Sequence, residues 1–225
     1  MDTKKFVELR WVHYVYEFFI VVVGISVPFL LDRWNDQRIE NKAERENYKY
    51  ILQELREDEN ELQHVAEYNQ YYLERAQKAN NIIVADDRKL ADSLGHLAIE
   101  LRYVSDFHRN HGIYENLINS EKIKLIKNDV LINQLQELEE LYTYLNRLEN
   151  NHLESMINFV IPKLSQYIRL VPFKVADEEA LFDFPFHNIM LLYLSIMEEK
   201  AGLYQRTLGK ISEIRASVEK QLQRK

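Results

Sequence analysis

The sequence predicts an all-α protein: one N-terminal transmembrane helix that continues into a long stalk helix and a helical-bundle soluble domain. Three observations predict it. Glycine and proline are scarce, five and four in 225 residues, so turns are few and elements long. After residue 32 the composition is dominated by Leu, Glu, Lys, Gln, Asn and Arg, which is weighted to helix, and no run alternates with the period of a strand. Near the N-terminus, HYVYEFFIVVVGISVPFLLDRW (His13 to Trp34) is apolar enough to enter a membrane.

The span comes first. Phe18 to Leu31 carries no charge, but at helical rise it covers only about 21 Å of a hydrocarbon core of ~30 Å. Counted from Trp11 the apolar stretch reaches about 31 Å, which matches. Trp11, Tyr14 and Tyr16 then form one interfacial belt and Trp34 the other. Asp32 and Arg33 end the run sharply, which places Glu17 about 9 Å inside the opposite boundary. No small-x-small cleavage site follows Gly24, and the chain runs straight into a charged helix. An uncleaved anchor is therefore expected rather than a signal peptide. Lys4, Lys5 and Arg10 precede the span, and Arg33, Arg38, Lys42 and Arg45 follow it. This near balance, together with the absence of cysteine, leans toward a cytoplasmic body on an inner-membrane anchor. The division expected is 1–34 for the membrane segment and 35–225 for a soluble oligomerisation and sensor domain.

On a helical wheel His13, Glu17, Gly24, Pro28 and Leu31 share one face, filled in by Ile20 and Val21. A carboxylate facing lipid is costly. A glycine permits close helix approach. A proline at 28 frees the carbonyl of Gly24, which needs a neighbour or water. Three readings fit this stripe: a plain anchor in which Glu17 snorkels or is protonated, a packed face of a homo-oligomer, and the lining of a pore.

Beyond the membrane, Tyr48, Leu52, Leu55, Leu62, Ala66, Leu73, Ala76 and Ile83 keep heptad-like spacing to about residue 84, with Glu59, Asn69 and Asn80 as polar exceptions. Either a stalk or packing within the chain fits that pattern. Asp86 and Asp87 break it and suit a cap for a helix over 88–104. Residues 105–112 read as a polar loop, and 114–126 as one or two short helices. Asn128 is a good N-cap for a helix over 129–163, with Leu131, Leu135, Leu138, Leu141, Leu145 and Leu148 as its core stripe. Pro162 is expected to bend or end that helix. Residues 171–186, with two prolines and four phenylalanines, read as a loop packed on the core, and 187–225 as a final long helix.

Chemistry is sparse. With no cysteine, disulfides, thiolate catalysis and cysteine-ligated zinc are all excluded. There is no Walker loop, dinucleotide glycine fingerprint or nucleophile elbow, so neither catalytic residues nor a cofactor are expected, and no enzyme. His108 and His111 in HRNH, with Glu115 nearby, lack the spacing of a metal motif, and no metal is expected. The net charge of −7 argues against binding duplex DNA. A local basic set, Arg102, Arg109, Lys122, Lys124 and Lys127, is interleaved with Tyr103, His108, His111 and Tyr114. Folded together, these residues suit the phosphates and bases of a nucleotide or oligonucleotide. The competing reading is ordinary solvated faces, as for Arg206, Lys210, Arg215, Lys220, Arg224 and Lys225 on the last helix.

Two segments carry a resemblance. EFFIVVVGISVPFLLDRWNDQRIENKAERENYKYILQELREDENEL resembles the start of a widespread bacterial family of single-pass membrane proteins of unknown function. Its members share an acidic-aromatic lead, an apolar span with an internal glycine, and an exit like Asp32, Arg33, Trp34, Asn35. YENLINSEKIKLIKNDVLINQLQELEELY resembles a second pattern of that family, with Tyr114, Leu117, Ser120, Leu125, Ile126, Asn128 and Leu131 in place and Glu121 where glycine is usual. The architecture, a short membrane part joined to a helical body, is also similar to Hailong-type anti-phage effectors. These pair a membrane channel with an enzyme whose oligonucleotide product holds the channel closed. What the resemblances imply is a homo-oligomeric membrane effector: a ligand-gated channel or membrane-perturbing protein in anti-phage defence, regulated by a nucleotide or oligonucleotide made by a partner enzyme. The alternative is a single-pass membrane scaffold whose helical domain binds a partner protein.

Overall fold

The computed structural model describes residues 3–108 and 112–223, with side chains from Tyr14 onward. The His13 side chain, Arg109 and His111 lie outside the described residues, as do the side chain of Trp11 and residues Arg224 and Lys225. The described chain is all-α apart from one two-stranded hairpin. It divides into two compact units, 1–47 and 48–225.

Helix α1 runs Thr3–Val84 without interruption and contains Pro28. In the first unit every described side chain from Tyr16 to Lys42 is exposed. Among the described residues this is the one helix long and apolar enough to cross a membrane, with a mean hydropathy of 2.1 in its best window.

The second unit is built on three long helices: α1 from Tyr48 onward, α4 (Asp129–Ser155) and α7 (Phe184–Gln223). Cross-links give their directions. Gln134 donates to Glu213, and Lys210 to Glu137, while Tyr204 near the middle of α7 donates to Glu149. Numbers rise on α4 as they fall on α7, so the two are antiparallel. Arg215 with Glu59 and His187 with Asn80 give the same sense for α1 against α7. All six leucines of the predicted α4 stripe are buried, because an i, i+3/i+4 apolar series presents one continuous face to its neighbours. On α1 the buried stripe is wider than the heptad reading: Ile51, Asp58, Val65 and Ala79 join it, since α1 packs against more than one partner helix. Asp58 is accommodated by Tyr142 Oη, which donates to it at 2.7 Å.

The shorter elements follow local chemistry. Asp87 caps a 3-10 turn, Arg88–Leu90, by accepting from the amide of Lys89, and α2 (Ala91–Glu100) follows. After α3 (Ile113–Asn119), Glu121 sits at φ 56°, ψ 7°. That left-handed conformation is easy for glycine and strained for glutamate. A 3-10 turn, Lys122–Leu125, leads to Asn128, whose Oδ1 accepts from the amides of Val130 and Leu131 as a true N-cap.

Two expectations are revised. Pro162 does not end the helix. α4 widens into a π-helical segment, Met156–Val160, and continues as α5 (Ile161–Tyr167), with Pro162 as its second residue. The stretch 171–186 is also more ordered than a loop. β1 (Ile168–Arg169) pairs antiparallel with β2 (Lys174–Val175), Ile168 opposite Val175, and the Val171–Pro172 bond between them is cis. α6 (Glu178–Phe182), capped by Asp177, precedes α7, which begins at Phe184. The hairpin packs so closely on α2 that a Cβ at Gly95 would lie 2.6 Å from Val175 Cγ2.

Candidate functional site

In the apolar N-terminal part of α1, Glu17, Gly24, Pro28 and Leu31 are all exposed along one face. A Cβ built on Gly24 meets nothing within 4 Å. The backbone of His13 continues the same helical face.

The described part of the basic set lies on the segment after α2 and around the 3-10 turn Lys122–Leu125. Arg102 follows α2, where Leu101 packs in one hydrophobic cluster, and its guanidinium donates to Tyr103 Oη and lies over that ring. Lys122, Lys124 and Lys127 surround a turn whose Ile126 packs in the other cluster, and Lys124 pairs with Glu121 at 2.7 Å. All four described side chains are exposed. His108 Nδ1 lies 3.3 Å from Asp106. Among the described residues no three His, Asp or Glu side chains converge to hold a metal ion.

The body has a second assembly, buried between α4 and α7. Glu149, His152, Lys200 and Tyr204 are 0–3 % exposed. Tyr204 Oη donates to Glu149 Oε1 at 2.5 Å, and the Phe107 amide donates to both oxygens of the same carboxylate. Lys200 Nζ donates to the Ser105 carbonyl at 2.7 Å and lies 3.3 Å from His152 Nδ1. Ser105 Oγ bridges Asn69 Oδ1 at 3.1 Å and Tyr204 Oη at 3.0 Å, and Asn69 Nδ2 donates to the Met197 carbonyl. Three polar groups of the chain after α2, the hydroxyl and carbonyl of Ser105 and the amide of Phe107, are thus tied to α1, α4 and α7. Buried polar groups require such partners, and the network fixes this irregular segment against the core.

Burial sets the protonation states. It pushes the Lys200 amine down to about 8, against the opposing pull of Glu149 and Asp106. Burial, with Lys200 beside it, lowers His152 to about 3. Burial raises the Glu149 carboxyl, offset by its bonds to Tyr204 and the Phe107 amide and by Lys200, and burial followed by Glu149 raises the Tyr204 hydroxyl. At neutral pH the pair is Lys200 ammonium and neutral His152. Nδ1 faces a donor and so accepts, which leaves the hydrogen on Nε2. Nε2 is buried and has no hydrogen-bond partner among the described residues.

His152 also lines a cleft of about 500 Å³ between the π-helical segment and α7. Its walls are mainly apolar, with Phe159 and Val160 on one side and Ile189, Leu192 and Ile196 on the other. Ser155, Asn158 and Lys163 are the remaining polar lining. The sequence does contain a signal for this assembly. Glu149 and His152 prolong the α4 stripe past Leu148, and Lys200 and Tyr204 fall between the buried Met197 and Thr207 on α7. A charged residue in phase with a core stripe on two helices marks a buried polar network. Comparison with protein-family models, with curated proteins and with solved structures finds no match to the chain.

Proposed function

We propose that the protein is a self-associating single-pass inner-membrane protein with a cytoplasmic helical body, and that its spanning helices pack together along the stripe of His13, Glu17, Gly24, Pro28 and Leu31. The observation that carries the reading is a carboxylate on an exposed apolar helix, in line with a glycine whose side-chain position is open. Close packing at Gly24 covers the carbonyl freed by Pro28 and withdraws Glu17 from lipid. A ring of Glu17 carboxylates around a common axis makes a cation-selective path, so the reading extends to a channel or membrane-perturbing effector. The reading does not depend on the basic set, whose described members are exposed.

Gly24→Leu tests the packing step. A Cβ there meets nothing within 4 Å in its own chain, so a change in assembly on Gly24→Leu points to contact with another copy. Full-length protein in lipid nanodiscs is expected as an oligomer by mass photometry, and Gly24→Leu is expected to dissociate it. A wild-type monomer, or an oligomer indifferent to Gly24→Leu, overturns the reading. Cation flux in liposomes that is lost in Glu17→Gln supports the channel step; no flux from an intact oligomer leaves a packed anchor only.

A further inference from the structure

We infer that the cleft between the π-helical segment and α7 is a binding site for a small apolar molecule carrying one hydrogen-bond acceptor, with the acceptor on His152 Nε2. Three features of the body lead there, and none depends on how the spanning helices pack. The cleft has the size and apolar lining usual for small-molecule sites. Its wall is shaped by Met156–Val160, a π-helical widening of the kind that recurs at functional sites, here directly following α4. And its lining includes a side chain that is fully buried yet incompletely bonded.

His152 is the decisive part. Lys200 Nζ occupies the Nδ1 edge of the imidazole at 3.3 Å, and Lys200 is held in turn by the Ser105 carbonyl. The ring is therefore fixed in orientation and tautomer, with an N–H on its other nitrogen. A buried donor without an acceptor is costly, and native interiors rarely retain one. A carbonyl or ether oxygen on a ligand removes that cost. The walls then select the remainder: Phe159, Val160, Ile189, Leu192 and Ile196 offer aliphatic and aromatic contact and no second buried donor. The occupant presents one carbonyl or ether oxygen to His152 and a compact apolar body to these walls, with Lys163, Ser155 and Asn158 as the polar part of the lining.

The probe is acetylnaphthalene, with isopropylnaphthalene as its shape-matched partner lacking the oxygen. Binding is measured by equilibrium dialysis against full-length protein in nanodiscs, with empty nanodiscs subtracted. Saturable binding of the ketone at one site per chain is expected, with the hydrocarbon weaker by about five- to tenfold, the loss of one hydrogen bond to a buried donor. His152→Phe is expected to erase the difference between the two probes. Leu192→Trp, at an exposed position in the wall, is expected to abolish binding of both while leaving the helical circular dichroism intact, so the test survives if His152→Phe fails to fold. Ketone uptake equal to that of empty nanodiscs overturns the site. Equal affinity for the two probes overturns the role of His152. Leu192→Trp dissociating an oligomer, with no ketone binding by the wild type, overturns it in favour of a second copy on this face.

Discussion

Helix α1 carries two stripes with the same period and opposite fates. From Tyr48 to Ile83 its apolar face is covered by α4, α7 and the smaller elements, and Ile51, Leu55, Leu62 and Ala79 have no exposed surface. From Tyr16 to Leu31 every side chain is exposed, although this stretch is the more hydrophobic. The polar residues on each stripe show the difference in environment. In the body, Asp58 and Asn69 are buried with partners from α4, α7 and the Ser105 segment. In the span, Glu17 shares its face with an open glycine and a proline. A helical stripe records that something will cover it; whether the cover is the same chain, another copy or lipid depends on what the fold places opposite.

The largest expected effect breaks the comparison at the body. Lys200→Ala removes the buried ammonium that donates to the Ser105 carbonyl and lies beside His152, leaving that carbonyl unpaired and a cavity where the stem was. It should destabilise the body by about 3–5 kcal/mol in urea unfolding followed by circular dichroism. Glu17→Gln should leave that unfolding curve in place, because the span contributes no buried surface to the core. A shift of similar size for both would erase the distinction between the two stripes.

Next is pH. The folded chain keeps His152 neutral down to about 3, while the unfolded chain takes up the proton near 6.5. Between these values the unfolded state binds more protons, so stability is full above about 6.5 and is lost as pH falls toward 3, by on the order of 4 kcal/mol. Glu149 works in the opposite sense. Its carboxyl is raised by burial, so the folded state holds that proton more readily and stability gains as pH falls, which partly offsets His152. Lys200, lowered to about 8, makes stability rise between about 8 and the ordinary lysine value. Thermal unfolding from pH 7 to 4 should show the acid loss, and His152→Gln should flatten it. An unchanged slope in a folded His152→Gln protein would assign the acid loss to other groups.

The smallest effect sharpens the account of local strain. Glu121 holds a left-handed backbone, so Glu121→Gly should raise stability by about 0.5–1 kcal/mol once the exposed pair with Lys124 is given up. A loss of stability would mean that the pair outweighs the backbone strain.

These cases mark what was legible. The α4 stripe, the Asn128 cap and the continuous α1 were readable because each depends on neighbours within one turn of helix. The path through Pro162 was not, since nothing in the residue pattern distinguishes a π-helical widening before a proline from an ordinary helix end. The hairpin at 168–175 was missed for a similar reason: two residue pairs are too few to show alternation, and their order comes from contact with Gly95. Of the expected sites, the membrane stripe follows from helical phase alone. The basic set required side chains distant in sequence to converge, and phase carries no information on that.

By itself the sequence determined the helical class, the apolar N-terminal helix with its polar stripe, and much of the core faces of α1 and α4, because hydrophobic periodicity and capping act over a few residues. Only the tertiary structure decided that Glu149, His152, Lys200 and Tyr204 meet, that Ser105 and Phe107 are tied to them, and that His152 borders a cleft with one nitrogen unbonded. Those facts arise from antiparallel packing of α4 and α7, which brings together residues about fifty positions apart, and no local pattern encodes that register.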